Sequence, residues 1–104
     1  MARILVAEDE DSVRNLVARV LKLHDHEVKA VVDGSAALEA LSQDDYDLLL
    51  TDIVMPRLDG IALALKVGRD YPALEIILMT GYADQEQRAH NLDALVHDVI
   101  SKPF

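Results

Sequence analysis

Five short apolar runs recur along the chain: Ile4-Leu5-Val6-Ala7, Val28 to Val32, Leu48-Leu49-Leu50-Thr51, Ile76-Ile77-Leu78-Met79 and Val99-Ile100. Each has the length of a strand, and most are continuous rather than alternating, as in parallel strands covered on both faces. Segments of helical period lie between them. Ser12 reads as an N-cap, and Val13, Leu16, Val17, Val20 and Leu21 form an apolar stripe behind it. Asp33-Gly34-Ser35 punctuates the second run, and Ala37, Leu38 and Leu41 predict a short helix before the polar stretch from Ser42 to Asp45. Gly60 opens a third helix with Ile61, Ala64 and Leu65 inward, stopping near Tyr71-Pro72. A further helix is expected from about Asp84 to Asn91, anchored only by Ala89 and Leu92 and so the least stable of the set. Strand and helix in strict alternation predict an α/β fold: a doubly wound, five-stranded parallel sheet of flavodoxin-like order 2-1-3-4-5.

Length and composition set the bounds. Residues 1–104 make one domain, large enough to bury a core and built mainly from Val, Leu, Ile and Ala, since only 4% of residues are aromatic. The absence of cysteine excludes disulfides, thiolate metal sites and thiol catalysis. A formal charge of −9 opposes binding to nucleic acid or to an anionic membrane. No signal-peptide pattern or membrane-length apolar run is present, which predicts a cytoplasmic protein.

The informative polar residues fall at the carboxyl ends of the expected strands. Glu8 and Asp9 follow the first, Asp52 ends the third, Thr80 ends the fourth and Lys102 follows the fifth. In an open α/β sheet that edge holds the ligand crevice, with the first and third strands flanking the switch point. Three converging carboxylates repel one another unless protons or a cation neutralise them. An all-oxygen set points to Mg²⁺, which takes one or two carboxylates, keeps several waters and accepts phosphate as a further ligand. Thr80 can donate its hydroxyl to a phosphoryl oxygen, and Lys102 can oppose it with a compact positive charge. Asp52, on the central strand, is the candidate nucleophile, and a carboxylate attacking phosphorus gives an aspartyl phosphate.

Each of these residues also has a plainer reading. Glu10 and Asp11 suit a solvated helix start. Thr80 is at home in a strand, Lys102 before a proline is an ordinary surface residue, and Asp59-Gly60 is an ordinary turn or helix-start signal. Only their coincidence at the strand ends argues otherwise. The four histidines, His24, His26, His90 and His97, have no metal-ligand spacing.

Glu8-Asp9, then Leu50-Thr51-Asp52-Ile53-Val54-Met55-Pro56-Arg57-Leu58-Asp59-Gly60, then Met79-Thr80-Gly81-Tyr82-Ala83, then Ser101-Lys102-Pro103-Phe104 together resemble a CheY-like response-regulator receiver domain over the whole chain. The resemblance implies a signalling switch rather than an enzyme. Asp52 would take phosphate from a histidine kinase or histidine phosphotransfer protein. Mg²⁺ would be held by Glu8, Asp9, Asp52 and the backbone carbonyl of Val54. Thr80 would be the switch hydroxyl, Lys102 the phosphate-binding lysine, and Lys102-Pro103 a cis bond. Within the family the motifs look most like stand-alone receivers of the CpdR kind, which regulate an ATP-dependent protease, so the output partner is a protein and such a protease is its candidate.

Three departures accompany the match. Glu8 stands where Asp is commoner, and Val99 stands where the family has its switch aromatic. Tyr82 then has two readings, a cover over the site or a substitute for that aromatic, and the sequence leaves both open. Finally, the sequence stops where the family begins its fifth helix. That predicts an uncovered apolar face including Ile100, filled by chain beyond Phe104 or by a partner such as a second copy in a homodimer.

The rival enzyme reading is a haloacid-dehalogenase-type phosphatase, since Asp9-Glu10-Asp11-Ser12-Val13 mimics Asp-x-Asp-x-(Thr/Val) after a first strand. It leaves Asp52 without a role. A pure interaction domain with a degenerate site is the third reading, and the intact acid, Thr and Lys set opposes it.

Overall fold

A computed structural model of the chain describes residues 1–53, 55, 58–80 and 98–101, with Thr80 and 98–101 described by their backbone path alone. The elements run β1 (Arg3–Ala7), α1 (Asp11–Leu23), β2 (Glu27–Val31), α2 (Gly34–Gln43), β3 (Leu48–Asp52), α3 (Gly60–Asp70), β4 (Glu75–Thr80) and β5 (Asp98–Ser101). The five strands form one parallel sheet in the order β2-β1-β3-β4-β5, as expected for a flavodoxin-like winding. The expected helix over Asp84 to Asn91 lies outside the described residues.

Strand alternation sends successive side chains to opposite faces, and each face has its own core. Leu5, Ala7, Leu49, Ile76 and Leu78 pack with Ala37 and Leu41 of α2 and Leu63, Ala64 and Val67 of α3. Ile4, Val6, Leu50 and Met79 pack with Val17 of α1, with Val13 and Leu21 partly buried beside it. Helices on both faces explain why the central strands read as continuous apolar runs.

Several local expectations are corrected. Helix α1 begins at Asp11 with Glu10 as its N-cap residue, and Ser12 lies inside the helix with its hydroxyl donating to Glu10 Oε1 at 3.2 Å. Its contact face is Val13, Val17 and Leu21; Leu16 and Val20 are exposed because each sits one residue, about 100°, round the helix from that line. Leu65 is exposed for the same reason, with Leu63, Ala64 and Val67 turned inward. Strand β2 ends at Val31, leaving Val32 exposed, and as an edge strand it buries only part of its surface. The other two described helices start on aspartate caps, at Asp33, which the sequence offered as punctuation, and at Asp59 before Gly60. Asp33 Oδ1 accepts the Ala36 N–H and Asp59 Oδ1 accepts the Ala62 N–H, each at 2.8 Å.

Candidate functional site

The register of the sheet decides what meets at its carboxyl edge. Ala7 pairs with Val31 on one side and Thr51 on the other, Asp52 pairs with Met79, and Thr80 pairs with Ser101. Glu8 and Asp52 therefore leave neighbouring strands one step beyond the same rung. Glu8 extends the ladder with its N–H on the Val31 carbonyl at 3.1 Å, and its Oε1 accepts the Glu10 N–H at 3.3 Å. Asp52 Oδ1 accepts the Ile53 N–H at 3.0 Å.

Glu8, Asp9 and Asp52 each bring a carboxylate oxygen within 4.8 Å of the others, with Glu8 and Asp52 buried and Asp9 exposed. This is the convergence expected from the sequence. The donor set fits a hard divalent cation: all oxygen, anionic, and open on the Asp9 side, where waters and a phosphate can complete six-fold coordination. Thr80 ends β4 beside this edge, and its side chain lies outside the described residues, as do Val54, Tyr82 and Lys102.

The shelf under Asp52 is built by close backbone approach. The Gly60 N–H donates to the Ile53 carbonyl at 2.7 Å, and a Cβ at Gly60 would lie 2.1 Å from the Asp52 carbonyl oxygen. Only glycine lets α3 start there. A Cβ at Gly34 would likewise meet the Leu58 carbonyl oxygen at 2.5 Å, so α2 supports the loop that follows Asp52. Buried Thr51 donates its hydroxyl to the Asp52 carbonyl at 3.0 Å.

Sequence reasoning passed over Arg14. Its Nη1 donates to the Glu8 carbonyl at 3.1 Å, and its Nη2 bonds Asp11 Oδ1. The i,i+3 spacing of Asp11 and Arg14 was the available signal; the reach back to Glu8 was not visible. A cavity of about 370 Å³ lined by Asp44, Asp45, Tyr46, Asp47 and Tyr71 opens at the opposite, amino edge, away from the three carboxylates.

A doubly wound parallel sheet with a carboxylate trio at its switch point is a small α/β module whose ligand-binding edge carries an acidic cluster suited to a hard divalent cation. The chain belongs to the response regulator receiver domain family, which it matches over residues 4–104. It is 38% identical to the response regulator receiver protein CpdR of Brucella abortus over 104 residues, all of this chain and 87% of that protein. It is 35% identical to the response regulator MprA of Mycobacterium ulcerans over 98% of this chain but only 44% of MprA, so it spans less than half of that relative. Among solved structures, the response regulator protein TrrA of Thermotoga maritima, in complex with Mg²⁺-BeF, superposes with a TM-score of 0.89 at 30% identity, covering 100% of this chain and 89% of that one.

Family membership makes the chain a receiver domain of the two-component response regulators, a signalling module of a family phosphorylated on aspartate. Receiver domains bind Mg²⁺ at an acidic site, and the trio here is an acidic cluster that could hold a metal ion. Among the described residues no helix is long and apolar enough to cross a membrane.

Proposed function

We propose that Asp52 is the phosphoacceptor of a Mg²⁺-dependent switch. A carboxylate oxygen of Asp52 attacks the phosphorus of a phosphohistidine on a histidine kinase or phosphotransfer protein. The P–N bond breaks, its electron pair returns to the imidazole, and the new P–O bond makes an aspartyl phosphate. Glu8, Asp9, Asp52 and the Val54 carbonyl hold the Mg²⁺, which when bound supplies the positive charge that lets a phosphoryl dianion approach three carboxylates. Thr80 donates to a phosphoryl oxygen and Lys102 pairs with another. With Val99 in place of an aromatic, the change passes through Thr80 and the loop from Gly81 to Ala83, including Tyr82, to a face that binds an output protein in the cytoplasm. An ATP-dependent protease is the candidate, by likeness to receivers of the CpdR kind.

The observation that carries this reading is the approach of the Glu8, Asp9 and Asp52 oxygens to within 4.8 Å at the ends of β1 and β3. Incubation with acetyl phosphate and Mg²⁺, followed by intact-mass measurement, tests it. One phosphoryl group should add, EDTA should prevent it, and Asp52→Asn should abolish it. Labelling that survives in Asp52→Asn but not in Asp9→Asn would return the phosphatase reading.

A further inference from the structure

Two of the three carboxylates sit on consecutive residues, Glu8 and Asp9, in the connection between β1 and α1. What holds that connection is a question the helix caps answer by contrast. Helices α2 and α3 start on aspartates whose side chains accept a backbone N–H of the first turn, but Glu10, at the start of α1, makes no side-chain capping bond. The helix start nearest the acidic site therefore lacks the device that secures the other two.

Arg14 stands in its place. Its backbone N–H closes the first turn of α1 on the Glu10 carbonyl at 2.9 Å, as Ala37 and Leu63 do in the other two described helices, and the difference lies in its side chain. Its side chain runs back past Glu10, one guanidinium nitrogen on the Glu8 carbonyl and the other on Asp11. The side chain is only 16% exposed, whereas its Asp11 partner is 83% exposed, so the arm toward Glu8 is the sheltered one. The Glu8 carbonyl belongs to the peptide unit that joins Glu8 to Asp9. Holding that plane narrows the directions in which the Glu8 and Asp9 side chains leave the backbone, against the like-charge repulsion that favours spreading them.

We propose that Arg14 is a positioning residue for the divalent cation. Its planar fork clamps the Glu8–Asp9 peptide to the first turn of α1 and presets the two carboxylates opposite Asp52. The inference rests on the proposed Mg²⁺ site. Charge and geometry make opposite forecasts. A guanidinium acting only through its charge would weaken cation binding, and its removal would tighten it. A guanidinium acting as a clamp strengthens binding, and a lysine, which keeps the charge but cannot fork, does not replace it.

The test is a Mg²⁺ titration of the unphosphorylated 104-residue chain followed by backbone amide shifts, for the unchanged protein, Arg14→Lys and Arg14→Gln. Lys and Gln have helix propensities close to that of Arg, so α1 itself is little affected. Both variants should bind Mg²⁺ roughly ten-fold more weakly, the effect of losing an outer-shell partner. Acetyl phosphate labelling of Arg14→Lys should return to the unchanged rate once Mg²⁺ is saturating. An unchanged affinity in Arg14→Lys, or tighter binding in Arg14→Gln, overturns the clamp while leaving the Mg²⁺ site intact. A lowered thermal midpoint with unaltered Mg²⁺ affinity would reduce Arg14 to a structural role and also overturns it. Absence of Mg²⁺ binding in the unchanged protein would instead fail the site itself, and the clamp with it.

Discussion

The two edges of the sheet are both rich in acids and, among the described residues, arrange them differently. At the amino edge, Arg3 gathers them. Its Nε pairs with Glu27 at 3.0 Å, its Nη2 with Asp44 at 3.7 Å, and its backbone N–H donates to Asp47 at 2.8 Å. Its guanidinium also lies 5.5 Å from the centre of the Tyr46 ring. At the carboxyl edge, Glu8, Asp9 and Asp52 are gathered on one another, while Arg14 binds the Glu8 backbone carbonyl and Asp11. A resident guanidinium makes acids into structure. Acids gathered around a shared point form a cluster that could hold a cation, whose arrival relieves their mutual repulsion.

The largest effect should come from the backbone that supports the carboxyl edge. Gly60→Ala places a methyl against the Asp52 carbonyl and the Ile53 Cα, atoms that cannot rotate away. A loss of about 3 kcal/mol in stability is expected by urea unfolding, together with loss of Mg²⁺ binding. If Gly60→Ala melts normally and labels normally, the close approach of α3 is not what seats Asp52.

Next in size is the amino edge. Arg3→Ala removes two ion pairs and a ring contact, but the charged groups are about half exposed and solvent screens them, so the cost should be about 1 kcal/mol. Mg²⁺ affinity should be unchanged. A change in Mg²⁺ binding would show the two edges to be coupled.

Asp9→Asn should move the other way. Removing one like charge from the trio should raise the thermal midpoint of the Mg²⁺-free protein by a few degrees, roughly the consequence of relieving a weak surface repulsion. Added Mg²⁺ should then stabilise the variant less than it stabilises the unchanged protein. A fall in the Mg²⁺-free midpoint would mean that Asp9 serves the fold rather than the cation.

The smallest effect concerns Tyr46. Desolvation by burial and the nearby Asp44 carboxylate raise its phenol above the ordinary value of 10.0, partly offset by Arg3. A group that holds its proton more tightly when folded stabilises the fold below its unfolded value and loses that contribution as pH rises through the folded one. Stability should therefore decline above about pH 10, and Tyr46→Phe should flatten that decline. An identical alkaline profile in Tyr46→Phe would remove this residue from the account.

Much of this was legible because it depends on short-range pattern. Continuous apolar runs mark strands covered on both faces. Asp33-Gly34-Ser35 marks the end of a strand, Gly60 opens a helix, and Glu8, Asp9 and Asp52 fall immediately after apolar runs, whereas the capping role of Asp33 shows only in the structure. Ser12 misled because a serine before an apolar stripe is a sound cap signal, and nothing local told that α1 would begin at Asp11 on an uncapped Glu10. Leu16, Val20 and Leu65 misled because helical spacing admits more than one apolar line, and the line that wins is chosen by the sheet it meets.

Residue type and local spacing thus carried the order of the described elements and the strand-end placement of the acids. Tertiary structure alone decided the rest. Parallel register brought the Glu8, Asp9 and Asp52 oxygens within 4.8 Å. Close backbone approach left no room for a Cβ at Gly34 or Gly60 without a shift of the backbone beside it. The path of α1 let Arg14 reach back to the Glu8 carbonyl. All three are distances between groups whose separation is set by how strands and helices dock, and no spacing along the chain encodes them.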